Sequence, residues 1–230
     1  MTEVNYLESL NPLQYESVCS TEGPNLIIAG AGTGKTKVLT ARVAHIIDNN
    51  LAFPSQILCV TFTNKAAREM SERVQKLVSQ NMEKMPWMGT FHSIGAKIIR
   101  NHAEVIGLKQ SFTILDKDDQ LSLIKQIIKA ENLDQSQFSP KLIQSKIDHW
   151  KNKALNPNDI KSESLDNLVD EKSLSIYKIY QARLFEINCL DFGDLLLQCI
   201  NLFKVPDIHK RYSNNFKYIH VDEYQDTNAA

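Results

Sequence analysis

The feature that most constrains this chain of 230 residues is a short glycine-rich segment that ends in lysine and threonine. It fits the phosphate-binding pattern G-x-x-x-x-G-K-[ST], except that alanine stands at the first position. Its three glycines allow the backbone to curl so that successive N–H groups point at phosphate oxygens. The segment predicts a nucleoside triphosphate site formed by Ala29, Gly30, Ala31, Gly32, Thr33, Gly34, Lys35 and Thr36.

Two side chains of this segment carry its chemistry. Lys35 supplies a point charge for the β- and γ-phosphates, and the Thr36 hydroxyl can join the coordination shell of Mg²⁺. The helix predicted from Lys35 onward adds the positive end of its dipole. We therefore expect a nucleotide with Mg²⁺, although the pattern alone does not distinguish ATP from GTP.

The order of predicted elements indicates an α/β fold with a parallel sheet. Residues 25–29 predict a strand directly before the glycine-rich segment, and residues 57–62 predict a second strand. Thr63 or Asn64 can cap the helix that follows. Residues 216–221 predict a further strand near the end of the sequence. Strand, loop and helix in alternation are typical of parallel strands joined by crossover helices.

The middle of the chain has a different character. Residues 117–190 show helical periodicity and almost no strand pattern, with helices predicted up to residue 190 and again from 192 to 203. The simplest arrangement is an α/β domain at 1–116 and 191–230, interrupted by an all-helical insertion at 117–190. The last strand would then return to the sheet.

Asp222 and Glu223 follow the last predicted strand, at the end where ligands bind in open α/β sheets. One carboxylate there can hold Mg²⁺, and the next can orient or deprotonate an attacking water. Two acids at a strand end can also form an ordinary solvated turn. The glycine-rich segment favours the catalytic interpretation, with Asp222 as metal ligand.

The composition limits which cellular environment and which binding partners we expect for this chain. The 26 basic and 27 acidic residues nearly cancel, so any nucleic-acid surface has to be a local patch. The four cysteines form no C-x-x-C pair, which favours reduced thiols over a disulfide frame or a zinc site. The sequence has no signal peptide and no apolar run near the roughly 18 residues that span a bilayer. We expect a soluble, cytoplasmic protein with no membrane partner.

Five ordered motifs resemble those of the UvrD/Rep/PcrA-type superfamily 1 DNA helicases. That family's phosphate-binding loop reads A-G-x-G-[ST]-G-K-T, so alanine is expected at position 29. The other four lie at 10–14 (L-N-P-L-Q, the Q motif), 60–70 (V-T-F-T-N-K-A-A-R-E-M, motif Ia), 89–93 (G-T-F-H-S, motif Ib) and 221–228 (V-D-E-Y-Q-D-T-N, motif II).

The resemblance implies a RecA-like P-loop NTPase domain that couples ATP to movement along single-stranded DNA with 3′→5′ polarity. It gives Gln14 the role of reading the adenine. Lys35, Asp222 and Glu223 become catalytic, and Thr36 and Asp222 would hold Mg²⁺. The implied DNA contacts come from motifs Ia and Ib: Phe62, Thr63, Asn64, Thr90, Phe91 and His92.

Without the resemblance, these positions have ordinary structural explanations. Gln14 would be interpreted as a surface residue of a helix. Phe62 and Phe91 would be interpreted as core residues, and His92 as a structural histidine. Hydroxyl and amide groups at a strand-to-helix turn can nevertheless grip phosphates, and the two phenylalanines can offer a face to an unstacked base.

The implied partners are single-stranded DNA, junctions of single- and double-stranded DNA, and a second RecA-like domain that supplies arginine to the γ-phosphate. The sequence stops after motif II, and three interpretations stay open. The chain can be the front part of a helicase, a remnant that only binds ATP and DNA, or an unrelated P-loop ATPase or kinase.

Two further groups of charged residues each have two possible interpretations. Asp191 and Asp194, in L-D-F-G-D-L-L, can cap a helix or orient nearby groups. Four lysines predict either a basic stripe that contacts duplex DNA or a solvated helix face: Lys141, Lys146, Lys151 and Lys153.

Overall fold

The computed structural model describes residues 6–30, 32–78, 85–161 and 167–227. The chain divides into two compact units. The first comprises residues up to 94 together with 210–226, and the second comprises residues 95–209 with the terminal residues from 227.

A three-stranded parallel sheet lies in the first unit. Its central strand β1 (Ile57–Thr61) pairs with β2 (Met88–Thr90) on one side and with β5 (Tyr218–Val221) on the other. β1 reads I-L-C-V-T, and its residues are almost all buried. Such a run of apolar and β-branched residues is typical of a parallel strand that is covered on both faces.

Three helices of the first unit surround the phosphate-binding segment and β1: α1 (Pro12–Cys19), α2 (Lys35–Asp48) and α3 (Asn64–Leu77). The apolar stripes of α2 and α3 repeat at helical spacing and pack with β1 into one core. That core includes Val43, Ala44, Ile46, Ile57, Cys59, Met70 and Val74.

Local signals fix where two of these helices begin. At α1, the Asn11 side chain accepts a hydrogen bond from Gln14 N while Gln14 Oε1 accepts one from Asn11 N, which is a capping box. At α3, Thr63 Oγ1 accepts a hydrogen bond from Ala66 N at 3.1 Å. The cap predicted at this turn is therefore Thr63, and Asn64 is the first residue of the helix.

The second unit is built from helices α5 (Lys117–Ala130), α6 (Pro140–Asn152), α7 (Leu168–Glu186) and α8 (Phe192–Phe203). Two short strands, β3 (Thr113–Ile114) and β4 (Cys189–Leu190), pair in parallel. They lie just before and just after the part of the chain that contains α5, α6 and α7. Helix α4 (Phe91–Asn101) runs from the first unit into the second, and α9 (Pro206–Asn215) runs back. The second core includes Ile124, Ile128, Ile143, Ile147, Tyr177, Tyr180 and Leu184.

A buried ionic cluster joins three helices of the second unit. Lys151 of α6 is fully buried, and its Nζ lies 2.7 Å from Asp191 Oδ2 and 2.8 Å from Asp194 Oδ1. The Tyr180 hydroxyl of α7 donates to Asp191 Oδ2 at 2.8 Å, and Gln181 Nε2 donates to Asp194 Oδ1 at 3.0 Å. A buried lysine without partners would be costly, so the two carboxylates offset the desolvation of the ammonium group.

The same cluster decides the role of the two aspartates and of one lysine. Asp191 is the N-cap of α8, because its Oδ1 accepts from Asp194 N at 2.9 Å, and the predicted capping role is confirmed. The predicted basic stripe is wrong in two of its four members. Lys151 is buried in the ionic cluster, and Lys146 pairs with Asp170.

The predicted strand at 25–29 is absent, although all of these residues are described. The segment is exposed: the exposed fraction is 74% for Leu26 and 87% for Ile28. An apolar run becomes a strand only where a neighbouring strand accepts its backbone hydrogen bonds. Among the described residues, the sheet ends at β5, and the segment has no pairing partner there.

The predicted fold class, an α/β fold with a parallel sheet and a helical segment, is confirmed. The compact units divide at 94 and 209, because most of α4 and all of α8 belong to the second unit. The predicted domain limits at 117 and 190 stay a prediction about functional domains. Within the described ranges, no helix is long and apolar enough to cross a bilayer.

Candidate functional site

The parallel sheet brings the ends of its strands to one edge. Thr61 at the end of β1 pairs in register with Thr90 at the end of β2, and Val60 pairs with Val221 of β5. Asp222 N donates to Val60 O at 2.9 Å, which extends the β5 pairing by one residue. The residues that follow these strands therefore lie at the carboxyl edge, where open α/β sheets bind ligands.

The phosphate-binding segment forms a loop that leads into α2. Gly32 has φ +75° and Gly34 has φ +96°, backbone conformations in which a side chain would be strained. The loop ends at Lys35, the first residue of α2, so the amino end of this helix faces the site. Ala31 lies outside the described residues.

The loop is held by internal hydrogen bonds to two of its carbonyls, mainly that of Gly30. The Thr33 hydroxyl donates to Gly30 O at 2.7 Å. Lys35 Nζ donates to Gly30 O and to Ala29 O, both at 3.3 Å. The lysine is thus folded back over the loop and satisfied by backbone carbonyls, which it has to leave to reach a phosphate group.

Gln14 lies against the loop from α1. Its Nε2 donates to Thr33 O at 3.0 Å, across 19 residues of sequence. A Cβ added at Gly34 would lie 3.2 Å from the same Nε2, so the loop passes close beneath the glutamine. The structure thus brings Gln14, the predicted adenine reader, to the phosphate-binding loop.

The acidic pair follows β5. Asp222 is buried at the end of β5. Burial raises the pKa of the Asp222 carboxyl above its usual range, and the charge of Glu223 adds to the rise. The Glu223 backbone, the Lys35 ammonium group and the Thr61 side chain oppose this shift in the pKa of Asp222.

Glu223 has a backbone conformation that is unusual for its type. Its φ is +51°, in the left-handed region that costs a non-glycine residue of order 1 kcal/mol or more. Its side chain accepts a hydrogen bond from Gln225 Nε2 at 2.5 Å. Glu223 lines the cleft beside the phosphate-binding loop.

A cleft of about 340 Å³ lies between the loop, α3 and the acidic turn. Its lining residues are Gly32, Gly34, Lys35, Thr36, Lys37, Arg73 and Glu223. Lys37 and Arg73 are missing from the sequence-based prediction. Lys37 directly follows the motif and could have been included, whereas the position of Arg73 depends on how α3 packs.

The six predicted DNA contacts fall at the turns after β1 and β2. The rings of Phe62 and Phe91 pack with centroids 5.3 Å apart and planes at 55°. Phe62 keeps 40% of its surface exposed, so the interpretation as a fully buried core residue is wrong for it. The register of Thr61 with Thr90 explains the pair, because each phenylalanine follows one of these threonines.

The polar members of this set are partly used by the fold. Thr63 Oγ1 caps α3, and Thr90 Oγ1 accepts from Ser93 N at 3.1 Å at the start of α4. Thr90 is buried, Asn64 is exposed, and burial lowers the pKa of the half-buried His92. The exposed surface of the set therefore consists mainly of an aromatic face and helix amino ends, which suit bases and phosphates respectively.

The residues of the cleft fit a nucleoside triphosphate with Mg²⁺. The Thr36 hydroxyl and the Glu223 carboxylate of the cleft, and the carboxylate of the neighbouring Asp222, are hard oxygen donors, the kind that Mg²⁺ prefers. A glycine with φ +96° packs against Gln14, so a side chain at position 34 would crowd the loop as well as strain it. Loop amides, one ammonium group and a helix amino end supply the charge that phosphates require.

Comparison with known proteins places the chain in a family. The UvrD/REP helicase N-terminal domain family matches residues 10–230. ATP-dependent DNA helicase PcrA of Staphylococcus aureus is 48% identical over 225 residues, which cover 97% of this chain and 30% of that protein. PcrA of Leuconostoc citreum is 46% identical over 222 residues, or 96% of this chain and 30% of that protein. The chain, which spans 30% of the length of these relatives, belongs to the UvrD/REP helicase N-terminal domain family.

Proposed function

We propose that this chain is the ATP-binding motor domain of a cytoplasmic DNA helicase that moves 3′→5′ along single-stranded DNA. The observation that carries the proposal is the shared edge of one sheet. The acidic pair and the aromatic pair both follow strands of this sheet, and Glu223 lines the same cleft as the phosphate-binding loop. Membership of the helicase family supports the reaction, and the direction is the one that the resemblance of the five motifs implies.

The loop and two side chains bind the nucleotide in this proposal. Backbone amides of residues 30–36 cradle the phosphates, and Lys35 leaves its carbonyl partners to contact the β- and γ-phosphates. Gln14 contacts the adenine edge with hydrogen-bonding groups that its two present bonds leave unused. ATP rather than GTP follows from this contact.

Hydrolysis depends on the acidic turn. Thr36 and Asp222 would hold Mg²⁺, which neutralises charge on the phosphate oxygens when bound. Glu223 would orient the attacking water and accept its proton, a role supported by its position in the lining of the cleft. Gln225 holds one oxygen of Glu223, which limits the orientations that this base can take.

Single-stranded DNA would lie across the turns after β1 and β2. Phe62 and Phe91 offer an aromatic surface to an unstacked base, and the amino ends of α3 and α4 offer N–H groups to phosphates. Contact with a single-strand/double-strand junction is also proposed. It would not come from the four-lysine stripe, because two of its members are in ion pairs.

Movement requires a second RecA-like domain, which would close on the ATP and contribute arginine to the γ-phosphate. An arginine of this kind is typically worth about 10³ to 10⁵ in turnover. We therefore propose that the 230-residue chain alone binds ATP, hydrolyses it slowly and does not unwind DNA. The alternative, a module that only binds ATP and DNA, predicts no hydrolysis even when a second domain is supplied.

The test compares Lys35→Ala with Lys129→Ala, a substitution at an exposed position of α5. ATP affinity and ATPase rate are measured with and without single-stranded DNA, on the chain and on a longer form that includes the second domain. Loss of a charged contact worth about 1.5 to 3 kcal/mol predicts roughly ten- to hundredfold weaker ATP binding for Lys35→Ala. Lys129→Ala should match the wild type.

Two results would contradict the proposal. Failure of the wild-type protein to bind ATP would show that the cleft is not an ATP site. Rapid DNA-stimulated turnover by the 230-residue chain alone, lost in Lys35→Ala, would show that no second domain is needed.

A further inference from the structure

The contact between Gln14 and the phosphate-binding loop goes beyond what an adenine reader needs. Gln14 is already bonded at both ends of its amide: Oε1 accepts from Asn11 N at 3.1 Å, and Nε2 donates to Thr33 O at 3.0 Å. The first bond belongs to the capping box of α1, which fixes the side chain on a helix. The second bond reaches the loop.

Helix α1 is a fixed platform for this contact. Arg42 of α2 donates to Ser17 O at 2.5 Å and to Thr21 O at 3.2 Å, just after the middle of α1 and just beyond its end. Val18 of α1 packs in a small buried core with Val38 and Ala41 of α2. Gln14 is therefore held by a helix that is itself attached to the helix following the loop.

The geometry of the peptide bond explains what the contact achieves. Thr33 C=O and Gly34 N–H belong to one planar trans peptide, so the two groups point in opposite directions. When Gln14 holds the carbonyl toward α1, the Gly34 N–H is turned away from α1. Gly34 lines the cleft, and an N–H group turned this way can serve a phosphate oxygen.

The loop needs an external contact of this kind. Gly32 and Gly34 are both in left-handed conformations, and glycine loses the most backbone freedom when it is ordered. Among the described residues of the loop, the internal hydrogen bonds go to the Gly30 and Ala29 carbonyls, and the contact to the Thr33–Gly34 peptide comes from outside the loop. Gln14 provides that contact.

We propose that Gln14 is a positioning residue for the phosphates as well as a reader of the base: it orders the loop through the Thr33 carbonyl. This inference rests on the proposed function, because it assumes that the cleft binds a triphosphate. It differs from base reading in one measurable respect. A base reader affects only ligands that carry the base, whereas a positioning residue also affects a triphosphate without a base.

The experiment measures the affinity of ATP and of inorganic tripolyphosphate, both with Mg²⁺, for three proteins. Gln14→Met keeps the size of the side chain and removes the donor to Thr33. Asn11→Ala is the matched control, because it breaks the capping box from the other side and leaves the bond to Thr33 intact. Circular dichroism verifies that each variant is folded.

Loss of one ordering hydrogen bond predicts about three- to tenfold weaker tripolyphosphate binding for Gln14→Met, with a larger loss for ATP. Asn11→Ala should keep its tripolyphosphate affinity within about twofold of the wild type. Unchanged tripolyphosphate binding in Gln14→Met would overturn the inference and leave Gln14 as a base reader only. An equal loss in Asn11→Ala would also overturn it, because the effect would then belong to the helix cap.

A failure of the proposed function gives a different result. In that case the wild type binds neither ATP nor tripolyphosphate, and both the proposed function and the inference about Gln14 are wrong. Wild-type binding of both ligands, with no effect of Gln14→Met on tripolyphosphate, removes the inference alone.

Discussion

At the carboxyl edge of the three-stranded sheet, residues that cap helices stand next to phenylalanines that form the aromatic pair. Thr63 caps α3, while Phe62, just before it, keeps 40% of its surface exposed. Thr90 caps the start of α4 in the same way, and Phe91 follows it. The caps fix the two turns, so the aromatic pair is presented on a rigid edge rather than on a mobile loop.

The aromatic pair gives a prediction for DNA binding. Phe62→Ala should weaken binding of an oligothymidine by roughly five- to a hundredfold, because stacking of one base on an aromatic ring is worth about 1 to 3 kcal/mol. Phe62→Tyr keeps the ring and should bind within about twofold of the wild type. Fluorescence anisotropy of a labelled oligonucleotide measures both. Equal affinities for all three proteins would show that no base stacks on Phe62.

Asp194 gives a prediction for the pH dependence of stability. Burial raises the pKa of its carboxyl to about 6, and the charge of Asp191 adds to the rise against the opposing charge of Lys151. Between about pH 4 and pH 6 the unfolded chain has released this proton while the folded chain retains it. The contribution of Asp194 to the free energy of unfolding therefore falls as pH rises through this window.

The matched comparison is Asp194→Asn, which cannot ionise. Urea unfolding near pH 4.5 and near pH 6.5 gives the free energy of unfolding of each protein. Going from the lower to the higher pH, the wild type should lose about 2 kcal/mol relative to the variant, which is the part of the linkage, at 1.36 kcal/mol per pKa unit, that falls within this window. Parallel pH profiles for the two proteins would show that Asp194 has an ordinary pKa.

At the scale of elements, the buried cluster of Lys151, Asp191 and Asp194 joins α6 to the start of α8, with Tyr180 and Gln181 of α7 as further partners. The close fit extends to the backbone. A Cβ at Gly193 would lie 2.8 Å from Lys151 Cδ, so glycine leaves the space that the lysine stem occupies. Three helices are thus fixed at one buried point by polar contacts.

Removal of the cation should be strongly destabilising. Lys151→Met leaves two buried carboxylates without their ammonium partner, and breaking a buried pair in this way costs about 3 to 5 kcal/mol. Lys153→Met, at an exposed position two residues later, should change stability by less than about 0.5 kcal/mol. Urea unfolding near pH 7 measures both. A loss below about 1 kcal/mol for Lys151→Met would contradict the role of the cluster.

At the scale of the whole molecule, positive and negative charges nearly cancel. The formal net charge is −1, and the six predicted DNA contacts include no lysine or arginine. The nearby basic residues of α3 are paired within the helix: Lys65 with Glu69, and Arg68 with Glu72. Few phosphates can therefore be neutralised, and affinity for DNA should depend more on stacking and backbone contacts than on charge.

This balance predicts a weak salt dependence. For single-stranded DNA, the slope of log Kobs against log salt concentration is about −0.7 for each neutralised phosphate. With about three such contacts at most, the slope should be shallower than roughly −2. Anisotropy titrations between about 50 and 200 mM salt measure it. A slope steeper than about −4 would reveal a basic surface that lies elsewhere on the protein.

Patterns confined to neighbouring residues were sufficient to predict much of the fold. The helix caps at Thr63 and Asp191 were predicted because capping involves residues only three apart. The helical character of the middle segment was predicted because helical periodicity repeats within a few residues. Residues 25–29 show the limit of this reasoning, because a strand needs a partner that its own sequence does not supply.

The sequence by itself determined the phosphate-binding loop, the acidic pair and the family, because each is recognised from short motifs of consecutive residues. Only the tertiary structure decided that Gln14 reaches Thr33, that Arg73 lines the cleft and that Lys151 is buried. These contacts join residues far apart in the chain, and they exist because packing of α1, α3 and α6 brings particular helix faces together. Local propensity sets which residues form a helix, whereas burial of apolar surface sets what each helix faces.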